Sequence, residues 1–296
     1  MLMPMGAFEQ FAEFVKPGER LAPFTSFKVG GPAEYLVQPR SRAELAAVVR
    51  YCGAQQIPLR LLGGGYNLLI ADEGVKGAVL RLAGPEFTTM AVQGRRVQAG
   101  GGASISALIS QAAKHCLAGF ESLVGIPGTV GGALRTNAGD RSGQIGQFVR
   151  QVEVMDEHGH IDVRERAELR FGPSESNLDD PVILAAEFEL ETDDADAIVK
   201  RMRKAWIQRK ASQPLSFQAA ARVFKNPRGK SAADLVEQAG LARTRVGGAE
   251  VSDRNAAYVV AHPGCQPRDI LRLIDLVQTR VREKFNVDLE LEITVW

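Results

Sequence analysis

The sequence predicts a soluble chain of mixed helices and strands, folded as one large domain or two ordinary ones. Three observations carry this reading. The 296 residues are 45% hydrophobic and 24% charged, enough apolar material for a core at a length that suits one or two domains. Apolar residues fall both in capped runs of helical period and in short runs bounded by turn residues. No stretch approaches the roughly 18 apolar residues that span a bilayer.

The elements follow in order. The opening residues, MLMPMGAFEQFAEF, meet Glu9 and Glu13 too early for a signal-peptide core, so an intracellular chain is expected. Ser41-Arg42-Ala43-Glu44 is a capping box, which predicts a helix running to about residue 54. Residues 57–62 read as a short buried strand ending in a triple glycine, and 67–82 as strand, turn and strand around Asp72-Glu73-Gly74. Residues 104–116 read as a helix stopped by Gly119, residues 149–163 as a hairpin about Glu157-His158-Gly159, and 182–190 as a strand.

Three aspartates then open, and a block of Lys and Arg closes, a helix within 191–214, the order the macrodipole prefers. It is the expected interdomain connection. A helix over 231–238 follows, then a long one after Pro267 in which Ile270, Ile274, Val277, Val281 and Phe285 form one apolar stripe. A strand over 289–296 closes the chain.

Charge and cysteine usage narrow the function. With 36 basic against 35 acidic side chains, the chain is no nucleic-acid scaffold or polybasic membrane binder. Cys52, Cys116 and Cys265 are widely spaced and odd in number, as expected of inert thiols in a reducing compartment rather than a disulfide framework. Asp156-Glu157-His158-Gly159-His160 holds metal-ligand types but sits at a hairpin tip, so a polar turn is expected and no metal. His262 and Cys265 flank Pro263-Gly264 and lack a second ligand pair. Asp179-Asp180 is expected to cap or turn. The basic run 200–210 lacks interleaved aromatics beyond Trp206 and reads as a solvated helix face.

The 30 glycines are clustered, at 63–65, 100–102, 125–132 and 247–248. Consecutive glycines after a strand let backbone N–H groups approach an oxyanion closely. Gly63-Gly64-Gly65-Tyr66-Asn67 is therefore either a phosphate cradle or a tight turn. It is neither a Rossmann fingerprint, having no G-x-G-x-x-G and no helix opening after it, nor a Walker A loop. A second loop, Gly125-Ile126-Pro127-Gly128-Thr129-Val130-Gly131-Gly132, could supply N–H and hydroxyl donors to a second phosphate. Two such loops point to a diphosphate-containing cofactor.

With these loops in view the sequence resembles the UDP-N-acetylenolpyruvoylglucosamine reductases (UDP-N-acetylmuramate dehydrogenases, MurB) along nearly its whole length. The resemblance rests on TSFKVGGPAEYLV at 25–37, LGGGYNLLI at 62–70, GIPGTVGGALRTNAGD at 125–140, FKNP at 224–227, AGLARTRVGGAEVSDRNAAYVV at 239–260 and VREKFNVDLELEI at 281–293. It implies an α+β fold: a vanillyl-alcohol-oxidase-type FAD-binding domain over 1–195, with flavin loops at 62–70 and 125–140, and a smaller α+β substrate-binding domain over 196–296.

The implied activity is FAD-dependent, NADPH-driven reduction of UDP-N-acetylglucosamine enolpyruvate to UDP-N-acetylmuramate in peptidoglycan precursor synthesis, by a cytoplasmic monomer. The implied FAD contacts are Gly63, Gly64, Gly65, Tyr66, Asn67, Leu68, Gly125, Pro127, Gly128, Thr129, Gly131, Gly132, Asn137, Gly139 and Ile145. The implied substrate contacts are Lys225, Asn226 and Gln213, with Arg209 and Lys210 as further phosphate candidates.

In the family an arginine and a glutamate stabilise the enolate and a serine protonates carbon, which suits the charge that develops. Glu292 keeps the glutamate's place in Leu289-Glu290-Leu291-Glu292-Ile293. Ser174 stands in the arginine's place, after Pro173, and Arg222 in the serine's. Tyr66 replaces a serine of the first flavin loop, and the His-Ala-Asn-Phe stretch has become Asn255-Ala256-Ala257-Tyr258. Arg222 is too basic to protonate carbon. Two readings stay open: an exchange, with Arg222 supplying charge and Ser174 the proton, or an impaired FAD- or UDP-sugar-binding relative without turnover. A flavoprotein acting on another substrate is a third.

Overall fold

A computed structural model describes residues 8–140, 142–214 and 219–296. The chain forms two compact units. One contains the stretch ending at Gly18, Glu34–Gly64 and Lys76–Ile207; the other contains Glu19–Ala33, Gly65–Val75 and Gln208–Trp296. A single division at 195/196 therefore differs from the observed units twice. Two early segments join the later unit, and the later boundary falls inside the helix Ala195–Ser212, within the segment where composition suggested a connection. Residues 1–7 of the opening stretch lie outside the described residues.

The first unit holds two larger sheets besides short two-stranded pairs. Val15–Pro17, Ala33–Val37, Val75–Leu80 and Leu59–Leu61 form one in that order. Ile161–Glu165, Val149–Met155, Val182–Glu189, Arg96–Gly100 and Met90–Gln93 form an antiparallel second. Leu59–Leu61 pairs parallel with Ala78–Leu80 and is only partly buried. The expected buried strand over 57–62 is thus shorter and more exposed; its buried members, Ile57 and Leu62, flank it.

Val182–Glu189 explains its own sequence. Val182 and Leu184 enter the core around Leu45, Val48 and Val49 of the helix Arg42–Ala54, while Ile183, Ala186 and Phe188 enter the core around Leu108 and Leu134. A strand buried on both faces reads as an almost unbroken apolar run. The Gly100-Gly101-Gly102 run belongs to the same packing. Side chains there would fall 1.9–2.1 Å from the carbonyl oxygens of Phe87, Ile183 and Leu82. That cluster lets backbones approach closely.

Local chemistry sets the helix ends. Ser41 and Ser104 cap Arg42–Ala54 and Ile105–Lys114 by accepting from Glu44 and Ala107 N–H. The Glu44 carboxylate also takes the Arg40 N–H. The second helix gives way at Cys116, at φ 54°, ahead of the expected stop at Gly119.

The second unit is built on the antiparallel order Ala220–Arg222, Tyr258–Ala261, Ala249–Val251, Arg245–Val246. The helix Pro267–Phe285 packs on it, with Ile270, Ile274, Val277 and Val281 buried as the stripe predicts and Phe285 partly so; each such burial contributes about 1.5–3 kcal/mol. The C-terminal strand is shorter than expected: only Thr294–Val295 is a strand, parallel to Leu68–Leu69. Residues 289–292 instead bind the chain beside them, through Lys225 N–H to Glu290 O and Glu292 N–H to Val223 O.

Candidate cofactor and substrate sites

In the first unit the two glycine loops meet. A Cβ on Gly63 would lie 2.9 Å from Thr129 Oγ1. Thr129 caps the helix Val130–Arg135 by accepting from Gly132 N–H at 3.3 Å, which leaves its hydroxyl hydrogen to donate elsewhere. The helix itself offers fewer donors than the sequence suggests. Val130 N–H goes to Ala103 O, Gly131 N–H to Gly101 O and Ala133 N–H to Thr129 O. By contrast, no described residue accepts from the N–H of Gly63, Gly64, Gly128 or Thr129. Half-buried N–H groups of this kind want an acceptor, and an anionic pyrophosphate fits them. The donor set therefore suits FAD.

Other expected cofactor residues hold the loops in shape. Gly125 and Gly128 take φ of 81° and 125°, and Pro127 is exposed. Asn137, 3% exposed, donates from Nδ2 to Gln144 Oε1 (3.1 Å) and Gly172 O (2.9 Å) and accepts from Gly146 N–H (3.1 Å). All of its side-chain polar atoms are thus engaged within the protein, and it clamps the segment that carries Gly139. Ile145 is fully buried in the core, so its side chain packs inward.

In the second unit, Gly65 (φ 66°) lies against Phe24 and accepts from Ser26 N–H. Tyr66 and Asn67 are exposed; Asn67 O accepts from Thr294 N–H. Leu68 is buried in the pair with Thr294.

The expected catalytic residues separate into two settings. Ser174 sits at the exposed tip of the hairpin formed by Phe171–Gly172 and Glu175–Ser176. Pro173 fixes its own φ near −65° and Ser174 has φ 60°, a type II turn. In the second unit, Arg222 pairs in register with Tyr258 and donates from Nε to Phe224 O at 3.3 Å. The Glu292 backbone binds Val223 at 2.7 Å. Burial pushes the Tyr258 phenol above its usual value; Arg222 and Arg209 pull it back and Glu292 pushes it up.

The substrate candidates are more peripheral. Lys225 is an exposed partner of Glu290 at 3.7 Å. Asn226 Oδ1 accepts from Ala232 N–H, at the start of the helix Ala232–Gln238, so that oxygen is committed locally. Arg209 and Lys210 lie in the last turn of Ala195–Ser212, and Gln213 follows it, half-buried.

Two residues escaped the sequence reading. Tyr258 stood out only as a departure, because its partner is set by strand register. Arg135 donates to Asp180 O; burial lowers its usual value, countered by Asp179 and Asp180. Asp180 also pairs with Arg164 at 3.0 Å, so it is an ion-pair partner and not simply a cap.

The residues weighed for metals behave as turns. Asp156 Oδ1 accepts from both His158 and His160 N–H. His262 packs on Glu250 at 2.6 Å. Among the described residues no cluster could hold a metal ion, and no helix is long and apolar enough to cross a membrane.

Comparison with known proteins agrees with this layout. A family model described as "UDP-N-acetylenolpyruvoylglucosamine reductase, C-terminal domain" matches residues 213–296, and one described as "FAD binding domain" matches 33–163. The first unit thus contains the vanillyl-alcohol-oxidase-type fold, within an α+β chain. The chain is 40% identical over 284 residues to UDP-N-acetylenolpyruvoylglucosamine reductase 2 of Symbiobacterium thermophilum, covering 95% of this chain and 92% of that one. It is 34% identical over 302 residues to the UDP-N-acetylenolpyruvoylglucosamine reductase of Clostridium kluyveri, covering 98% and 99%. The crystal structure of UDP-N-acetylenolpyruvylglucosamine reductase (MurB) from Thermus caldophilus superposes with a TM-score of 0.82 at 36% identity, covering 95% of this chain and 98% of that one. The chain belongs to the UDP-N-acetylenolpyruvoylglucosamine reductase (MurB) family.

Proposed function

We propose that this protein reduces UDP-N-acetyl-enolpyruvylglucosamine to UDP-N-acetylmuramate with NADPH, using FAD, as a cytoplasmic monomer of peptidoglycan precursor synthesis. The observation that carries the cofactor reading is the approach of Gly63 to Thr129, with N–H groups on both loops that no described residue accepts. FAD, when bound, supplies hydride transfer from the nicotinamide to the enolpyruvyl double bond.

The chain's own residues do the rest. Gly63, Gly64, Gly128 and Thr129 offer N–H donors, and Thr129 a hydroxyl, to the pyrophosphate. Lys225, Arg209, Lys210 and Gln213 offer charge and hydrogen bonds to the diphosphate of the sugar nucleotide. Arg222, fixed by Phe224 O, supplies positive charge where the substrate's carboxylate gains electron density. Glu292, whose backbone binds Val223, bears electrostatically on Tyr258, the strand partner of Arg222.

The test is direct. Purified protein should be yellow, or become so with FAD, and should consume NADPH faster when the enolpyruvyl sugar is added. A protein that stays colourless after reconstitution removes the flavin reading. A flavin-loaded protein with no substrate-dependent turnover replaces the reductase by a binding protein.

A further inference from the structure

Reducing the substrate's C=C bond takes a hydride on one carbon and a proton on the other. Arg222 holds its proton too tightly to give it to carbon. The residue directly opposite it is Tyr258, in an antiparallel pair whose side chains share one face of the sheet. The alternate residues Ala221, Val223 and Val259 point into the core, so Arg222 and Tyr258 occupy the other face. Arg222 and Tyr258 are both half-buried, and Glu292 is carried alongside by the bonds of residues 290–292 to 223–225. A neutral hydroxyl donor, a fixed cation and a carboxylate are thereby gathered on one edge.

We propose that Tyr258 is the catalytic proton donor to the substrate carbon, with Arg222 as the cation that receives its phenolate. The proposal rests on the reductase reading. In the step, the hydride that originates on NADPH forms a C–H bond at one end of the C=C. The π electron pair forms a second C–H bond with the Tyr258 proton, and the O–H electron pair stays on oxygen. The phenolate, stabilised by the charges of Arg222 and Arg209, regains a proton from water. Burial keeps the phenol protonated at neutral pH, and the two arginines lower the cost of its anion, against Glu292.

The test uses FAD-loaded protein with NADPH and UDP-N-acetylglucosamine enolpyruvate. Wild-type protein lacking substrate-dependent turnover overturns both the reductase reading and this one. Given turnover, Tyr258→Phe is expected to lower kcat by about 10²–10⁴-fold, with flavin reduction by NADPH alone and affinity for the sugar nucleotide unchanged. A kcat close to wild type overturns Tyr258 and leaves the reductase standing. Loss of flavin reduction or sugar binding together with kcat shows a structural role and overturns it too. A second readout is independent of turnover. Ultraviolet difference titration of tyrosinate, wild type against Tyr258→Phe, isolates this phenol, and Arg222→Met is expected to move its titration to higher pH. An unmoved titration overturns the pairing with Arg222.

Discussion

Gly63 lies against Thr129: a methyl group on Gly63 would come within 2.9 Å of the threonine hydroxyl oxygen. Two loops far apart in sequence are thus in contact at the residues that carry their donors. Gly63→Val is expected to drive the loops apart and abolish flavin retention, measured as flavin absorbance per protein after gel filtration. Thr129→Ala is expected to cost about 1 kcal/mol in helix capping and to weaken FAD binding, while Thr129→Ser keeps both. Full flavin content in Gly63→Val would contradict the cradle.

Asn137 makes three side-chain hydrogen bonds in a buried setting at φ 44°. Asn137→Ala removes all three and strands Gly146 N–H, while Gly172 O keeps its hairpin partner Glu175. A loss of about 2–4 kcal/mol is expected, read as a lower denaturant midpoint at unchanged slope. A loss below 1 kcal/mol would mean the clamp is dispensable, as judged against the usual worth of one such bond.

Ser174 occupies the second central position of a type II turn with φ 60°. Ser174→Gly suits that backbone better and is expected to hold or slightly raise the melting temperature. The same variant discriminates between mechanisms. Exchange of roles with Arg222 requires a proton from Ser174, so glycine must then abolish turnover; a Tyr258 donor does not require it.

Asp269 closes a reciprocal cap with Gln266 at the start of Pro267–Phe285 and also accepts from Gly248 N–H. These backbone bonds hold its carboxyl below the usual value. A depressed folded-state value means the contribution is complete above the unfolded carboxylate value of about 3.9 and disappears as pH falls through the depressed one. Asp269→Asn should therefore melt lower than wild type near neutral pH, with the gap closing in acid. A gap independent of pH would deny the charge its role.

Features encoded by neighbouring residues were legible. Ser41, Ser104 and Ser231 each cap the helix that follows, and the Pro267 helix buries its stripe, because capping and amphipathicity are local. The glycine clusters look alike in sequence yet differ in use. Gly100–Gly102 meets backbone carbonyls, whereas Gly63 meets a threonine hydroxyl, and only the partners across space decide which. The Arg222–Tyr258 pair was hidden for the same reason: register is fixed by strands more than thirty positions apart.

The parallel pairing of Leu68–Leu69 with Thr294–Val295 constrains how the chain is made. Ala71 N–H and Leu69 O both engage Trp296, so Leu68 and Leu69 gain this partner only once residues 294–296 are made, although Ser26 N–H to Gly65 O and Gly31 N–H to Ala71 O already tie the segment to the earlier chain. During synthesis the free edge of Leu68 and Leu69 must wait for that partner, while the first unit can already collapse around its own cores. Closing so long a loop is slow, and the nascent protein therefore carries a sticky, unfinished edge until residues 294–295 reach it.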